Sequence, residues 1–234
     1  MKQFLTKKDI NMNQDLFKLI VENDMHDIEV ITENVDNGGK VIKLKGPYII
    51  ADKLNGNKRK YEYESLKPEV DRFINEVVNK NRALGELEHP DYAHINPERS
   101  AIRITSLKED NKIWIGESIV LASDPSKGIR GTPQSDILAS LIQYNTSLGF
   151  STRGVGKVNE GVVRNYKLCT IDCVANPSIG EYVEGILESK DFIINEHGDI
   201  HEVKYNILEN GLKNLSHDKN EKMYSLLQQF FATL

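Results

Sequence analysis

Residues 162–175, VVRNYKLCTIDCVA, constrain the fold of this 234-residue chain more than any other stretch. Apolar side chains fall at both odd and even positions, so an extended chain here is covered on both faces. The segment therefore reads as an interior strand, ended by NPSIG. Interior strands need neighbours, and the rest of the sequence supplies them. Asp172 is the one carboxylate inside this run. A buried carboxylate is costly unless it has a partner. Asp172 could hold a cation, cap a loop, orient a histidine, or be a satisfied structural aspartate; the strand alone leaves these open.

Other strands are signalled by turn chemistry. KVIKLKGPYIIADKLNGNKRKYEYE reads as strands around Asn55-Gly56. SAIRITSLKEDNKIWIGESIVLAS reads as a hairpin with KEDNK as its loop, and LGELEH as a short strand. Two helices interrupt the strands. In SLKPEVDRFINEVVNKNRA, Pro68 suits a first turn, and Val70, Phe73, Ile74, Val77 and Val78 make one apolar face. In TPQSDILASLIQYNTSLG, Thr132 is the expected N-cap, Pro133 the first residue and Gly149 the C-cap. DKNEKMYSLLQQFFATL, behind a polar stretch at 210–220, reads as an amphipathic terminal helix. The pattern is α+β on a mostly antiparallel sheet or barrel. We expect a 1–38 extension, a 39–190 core domain and a 191–234 extension carrying the terminal helix.

Composition excludes several classes. Hydrophobic residues make up 39% and charged residues 28%, as in a globular chain rather than a disordered one. The net charge of −5 argues against direct nucleic-acid binding. No apolar run is long enough to span a membrane, and the N-terminus lacks the apolar core of a secretory signal. Two cysteines, Cys169 and Cys173, do not make a disulfide framework, and a reducing cytosolic setting is expected.

Chemistry could sit in three places. The first is ALGELEHPDYAHINPE, residues 83–98. The residue before a proline is pushed towards extended geometry, so His89 should end a strand. On such a strand Leu87 and His89 share one face, Glu86 and Glu88 the other. Glu86, His89 and His94 could also be read as metal ligands. However, metal-binding helices carry two histidines four apart, and Pro90 and Pro97 break any helix here. No metal and no cofactor is expected. The second place is SLGFSTRGVGK, residues 147–157, read as a glycine-rich helix-to-strand turn. Ser151 would lie just past the helix cap, and Gly154 and Gly156 would let backbone approach a substrate. The spacing is not the G-x-S-x-G elbow, because Arg153 occupies its second glycine position. Asp172 is the third place.

RALGELEHP, GFSTRG and DCVANPS, in that order, resemble the prohead core proteases of tailed bacteriophages, the T-even type in particular. The resemblance covers roughly residues 40–185. It implies a serine endopeptidase with a β-barrel surrounded by helices, similar to the herpesvirus maturation proteases. It implies cleavage of scaffold, capsid and other head proteins inside the prohead, in the host cytoplasm, by an enzyme that processes itself. The termini would then be propeptide candidates, and Ile186–Ser189 (ILES) a candidate cleavage site. Under this resemblance Ser151 is the nucleophile, His89 the general base and Asp172 the third member. Herpesvirus enzymes use a histidine in that third role, and this chain has none there. Backbone N–H groups near Arg153 and Gly154 become oxyanion-hole candidates, with Arg164 and its neighbours as the alternative. An inactive capsid or scaffold component of the same fold, a metal-dependent hydrolase on Glu86, His89 and His94, and a homo-oligomer all stay open.

Overall fold

Strands dominate the described backbone. The computed structural model describes residues 16–21, 28–35, 39–55, 57–175, 186–195 and 197–203. In chain order the elements are β1 (Phe17–Val21), β2 (Glu29–Val35), β3 (Gly39–Ile50), β4 (Lys60–Tyr61), α1 (Tyr63–Phe73), β5 (Leu84–Glu86), β6 (Ser100–Asp110), β7 (Ile113–Val120), α2 (Pro133–Gln143), β8 (Leu148–Asn159), β9 (Val162–Ala175), β10 (Ile186–Ile194) and β11 (Ile200–Val203). The expected helix at 221–233 and the NPSIG stop lie outside the described residues.

The α+β expectation holds; the described strands form two sheets, and no closed barrel is seen among the described residues. One sheet has the order β11-β10-β1-β8-β9-β4, the other β2-β3-β7-β6-β5. All neighbours are antiparallel except β4 and β9. A parallel bridge between Leu87 and Cys173 ties the β5 edge of the second sheet to β9 of the first. Among the described residues the α-helices are α1 and α2, too few to surround the sheets. β1 sits between β8 and β10, which puts residues 17–21 in the same sheet as the 162–175 strand.

The 162–175 segment is one strand, as its two-sided apolar pattern requires. Val163, Leu168, Ile171, Cys173 and Val174 are buried along it. The β6–β7 hairpin is tighter than the expected five-residue loop. Asn111 and Lys112 alone make the turn, both at positive φ, as a two-residue type I′ connection demands.

Both helices depart from expectation at one end. α1 begins at Tyr63, five residues before Pro68, which lies inside the helix. The missing Pro68 N–H strands only the carbonyl of Glu64, an exposed residue that water can serve. α1 passes at Phe73 into a π-helical turn, Ile74–Val78, and the expected apolar residues face inward along both: Val70, Phe73 and Val78 are buried, and Ile74 and Val77 pack against the core. α2 starts as expected, with Thr132 Oγ1 accepting from Ser135 N and Pro133 in the first turn. It ends at Gln143 with Tyr144 as C-cap, so Gly149 caps nothing. Gly149, Ser151, Gly154 and Gly156 all lie within β8. The expected glycine-rich turn is a strand buried from Leu148 to Gly156.

Candidate active site

The β8–β9 hairpin turns on Glu160 and Gly161, both at positive φ. Near the turn Asn159 pairs with Val162 and Lys157 with Arg164. Two register shifts follow, at Val155/Lys157 and Arg153/Gly154. Each puts one extra residue on β9. Beyond them Ser151 stands opposite Asp172; without them it would face Thr170. Directly opposed residues share a face of the sheet, as do residues two apart on one strand. Ser151 and Arg153 from β8, and Thr170 and Asp172 from β9, therefore project together.

β5 brings the histidine to this face. Gly85 allows the approach, since a Cβ there would lie 2.2 Å from the Ile171 carbonyl oxygen. With the strands this close, Thr170 Oγ1 donates to Leu84 O at 2.6 Å and Glu88 N to Cys173 O at 2.9 Å. Glu86 N donates to Asp172 Oδ1 at 2.9 Å. Glu88 then adopts φ +61°, a left-handed conformation unusual for a non-glycine residue. That kink breaks the simple strand alternation and lets His89 reach the same carboxylate. His89 Nδ1 lies 2.8 Å from Asp172 Oδ2.

Asp172 is completely buried. Burial works to raise its pKa, but the His89 hydrogen bond and the Arg153 charge outweigh it and hold the carboxyl below its ordinary value. An ionised carboxylate only accepts, so His89 Nδ1 must carry the proton facing it. In the neutral ring Nε2 is then left as the basic atom. This is the arrangement a histidine needs to take a proton from a hydroxyl.

Ser151 is 2% exposed, and its Oγ has no hydrogen-bond partner among the described residues. The Ser151–His89 hydrogen bond is thus not made in this state; such contacts are often loose before substrate binds. A shallow cleft borders Ser151, with Tyr48, Tyr61, Phe150, Thr152 and Tyr166 in its wall. The cysteines offer no rival nucleophile. Burial pushes the Cys169 thiol up to about 12 and also raises that of Cys173, so neither is a thiolate near neutrality.

The fold thus gathers His89, Ser151 and Asp172 from three strands or strand ends. Arg153 joins them, but its guanidinium points into the protein, onto Asp172, Glu86 and two backbone carbonyls. Any oxyanion contribution from Arg153 and Gly154 would come from their backbone, at the register shift. Arg164 is eight residues from Asp172 along β9, about 26 Å in an extended strand. It is exposed and ion-paired with Glu62. The metal trio is not assembled either. Glu86 is buried and accepts from Arg153, Arg99, Tyr92 Oη and Asn96 N. His94 is exposed and stacks on Tyr92. No group of three His, Cys, Asp or Glu side chains among the described residues is placed to hold a metal ion. The signal for Arg153 was present in the sequence: once 148–159 is read as a strand, an arginine two places from Ser151 shares its buried face and needs a carboxylate.

The family model described as "Prohead core protein serine protease" matches residues 15–191, more than half of the chain. The chain belongs to this family. Among curated relatives of these prohead proteases, the chain is 34% identical over 142 residues to the "Prohead core protein protease" of Enterobacteria phage T4. The match covers 58% of this chain and 64% of that protein, so it spans less than two thirds of the relative. Among solved structures, the fold resembles that of the bacteriophage T4 capsid assembly protease. The TM-score is 0.56 at 28% sequence identity, covering 68% of this chain and 98% of that one.

Proposed function

We propose that this chain is a serine endopeptidase of the prohead, with Ser151 as nucleophile, His89 as general base and Asp172 as the residue that orients it. The observation that carries the reading is the His89 Nδ1–Asp172 Oδ2 contact on the face that Ser151 shares across the β8–β9 ladder. Ser151 Oγ attacks the scissile carbonyl carbon while His89 Nε2 takes its proton. The tetrahedral oxyanion forms, possible donors to it being the backbone N–H groups around Arg153 and Gly154. Collapse breaks the C–N bond as His89 returns the proton to the leaving amine. Water then attacks the acyl-serine, passes a proton to His89, and releases the carboxylate product with Ser151 restored. Asp172 stabilises the imidazolium in both halves without itself taking the proton.

The substrates are scaffold, capsid and other head proteins, cut inside the prohead in the host cytoplasm. Family membership and the T4 relatives support this. In this reading residues 39–190 form the catalytic domain, to whose sheet β1 adds a strand, and the enzyme itself trims the regions on either side. Ile186 and Leu187 pair with Ile20 and Leu19, and the ladder resumes at Asp191 opposite Lys18. The Glu188–Ser189 bond thus falls where the ladder is interrupted, a better place for nicking than continuous sheet. The bridge between β5 and β9 supports reading the two sheets as related to the herpesvirus-type barrel. A second reading, a catalytically silent head component, draws on the unpartnered Ser151 hydroxyl.

The deciding experiment compares wild type with Ser151→Ala on a head-protein substrate. The proposal expects cleavage and shortening of the chain by wild type only. Cleavage by the alanine variant would remove Ser151 from the mechanism; cleavage by neither, with both folded, would favour the silent component.

A further inference from the structure

Arg153 is fully buried, the costliest place for a charge unless every donor is met. A guanidinium has five N–H donors. All five have acceptors here. Nε donates to Asp172 Oδ2 at 2.8 Å, and Nη2 to Asp172 Oδ1 at 3.1 Å and Glu86 Oε1 at 3.3 Å. Nη1 donates to the carbonyls of Tyr92 at 2.7 Å and His94 at 3.0 Å. Asp172 is thereby gripped in two-point fashion, with Glu86 N on Oδ1 and His89 on Oδ2. The carboxylate has no rotational freedom left. Glu86 in turn holds the segment after His89 through Tyr92 Oη, Asn96 N and Arg99 Nε. The chain on both sides of His89 is thus fastened to one buried ion pair.

We infer that Arg153, backed by Glu86, is a positioning residue: it fixes the Asp172 carboxylate and the 92–99 segment together, so that His89 is presented to Ser151 in one orientation. The inference rests on the protease reading, but its geometry does not depend on Ser151 being reactive. Lysine cannot replace Arg153, because three donors from one point cannot span two carboxylates and two carbonyls. Glu86→Gln keeps the shape and one acceptor oxygen but loses the charge opposite Arg153.

The test uses the full chain labelled with ¹⁵N-histidine, as wild type, Arg153→Lys, Glu86→Gln and Ser151→Ala. The His89 Nδ1–H proton, bonded to a buried carboxylate, should give a far-downfield resonance in wild type and in Ser151→Ala. In Glu86→Gln and Arg153→Lys it should move upfield or exchange away with water. On a head-protein substrate kcat should fall about 100-fold, as expected for a slightly misplaced catalytic group, with KM changed less than about twofold. Should Arg153→Lys not fold, Glu86→Gln decides alone. An unchanged resonance and unchanged kcat in folded Glu86→Gln overturn the inference, as does an equal loss through KM. A missing resonance in wild type overturns it too. Loss of the resonance in both variants, with Ser151→Ala still cleaving, would instead overturn the assignment of Ser151 and leave the positioning role standing.

Discussion

The two ends of the β8–β9 ribbon carry the same residue types to opposite effect. At one end Arg153 and Asp172 are buried, and between them they make seven of the hydrogen bonds that define the site. At the other end Arg164 is exposed and meets Glu62 at the surface. Buried, a charge must be met from every side, so it imposes order on what surrounds it. Exposed, it is served by water, and its ion pair contributes little. The two register shifts divide these regimes, and they set Asp172 opposite Ser151. Within the buried end there is a second contrast. Asp172 accepts four hydrogen bonds, while Ser151 Oγ, directly across the ladder, makes none among the described residues. The acid of the proposed triad is fixed, and the nucleophile is left available.

The largest effect should come from Asp172→Asn. The amide cannot hold His89 in the Nδ1–H tautomer by charge, and kcat should fall about 10⁴-fold. The change also leaves Arg153 with one of its two counter-ions, Glu86, which should cost about 3 kcal/mol in denaturant unfolding. Acid titration sharpens the point. The folded carboxyl lies below its unfolded value near 3.8. Its contribution is therefore present above that value and lost as pH falls through the folded pKa. Asp172→Asn should flatten this part of the stability profile; an unchanged acid limb would mean that Asp172 is not the group responsible.

Glu88 offers a smaller, signed test. Its φ of +61° costs an L residue about 1 kcal/mol, which glycine avoids. Glu88→Gly should leave the melting temperature unchanged or higher and keep activity. Glu88→Val should lower both, because the kink that delivers His89 becomes harder to form. Equal behaviour of the two variants would detach the kink from the site. Ser151→Ala should be slightly stabilising, by about 1 kcal/mol, since it removes a buried hydroxyl without a partner. A clear loss of stability would show that the hydroxyl is bonded in solution. The smallest effect belongs to the exposed end: Arg164→Ala should change stability by less than about 0.5 kcal/mol and leave kcat alone. A large loss there would erase the contrast between the two ends.

How much of this was legible beforehand depended on the kind of signal. β9 could be read because its apolar residues cover both faces, and α1 because its apolar residues recur with the helical period. Glycines at 149, 154 and 156 imitate punctuation, so the sequence points to a turn at Ser151. In fact a Cβ at Gly154 would lie 2.5 Å from the Tyr166 ring, so at that position glycine serves packing inside a strand. His89 and Asp172 were recognisable by type and order. Their meeting is implied by the family resemblance and not by any local pattern, because it depends on the Glu88 kink, on Gly85 packed against Ile171, and on two register shifts. None of these has a local pattern. For Arg153 the sequence draws attention to the backbone alone; its buried side chain, bonded to Asp172 and Glu86, is visible only once 148–159 is a strand.

The central claim is that Ser151 is a nucleophile made reactive by the His89–Asp172 pair. Covalent trapping tests it most directly. A small fluorophosphonate would be incubated with a preparation already shown to cleave a head protein, followed by peptide mapping by mass spectrometry. The account predicts one adduct, on the peptide carrying Ser151, with labelling and cleavage lost in parallel and no adduct in His89→Ala. An adduct on another residue, or none while cleavage continues, would contradict it.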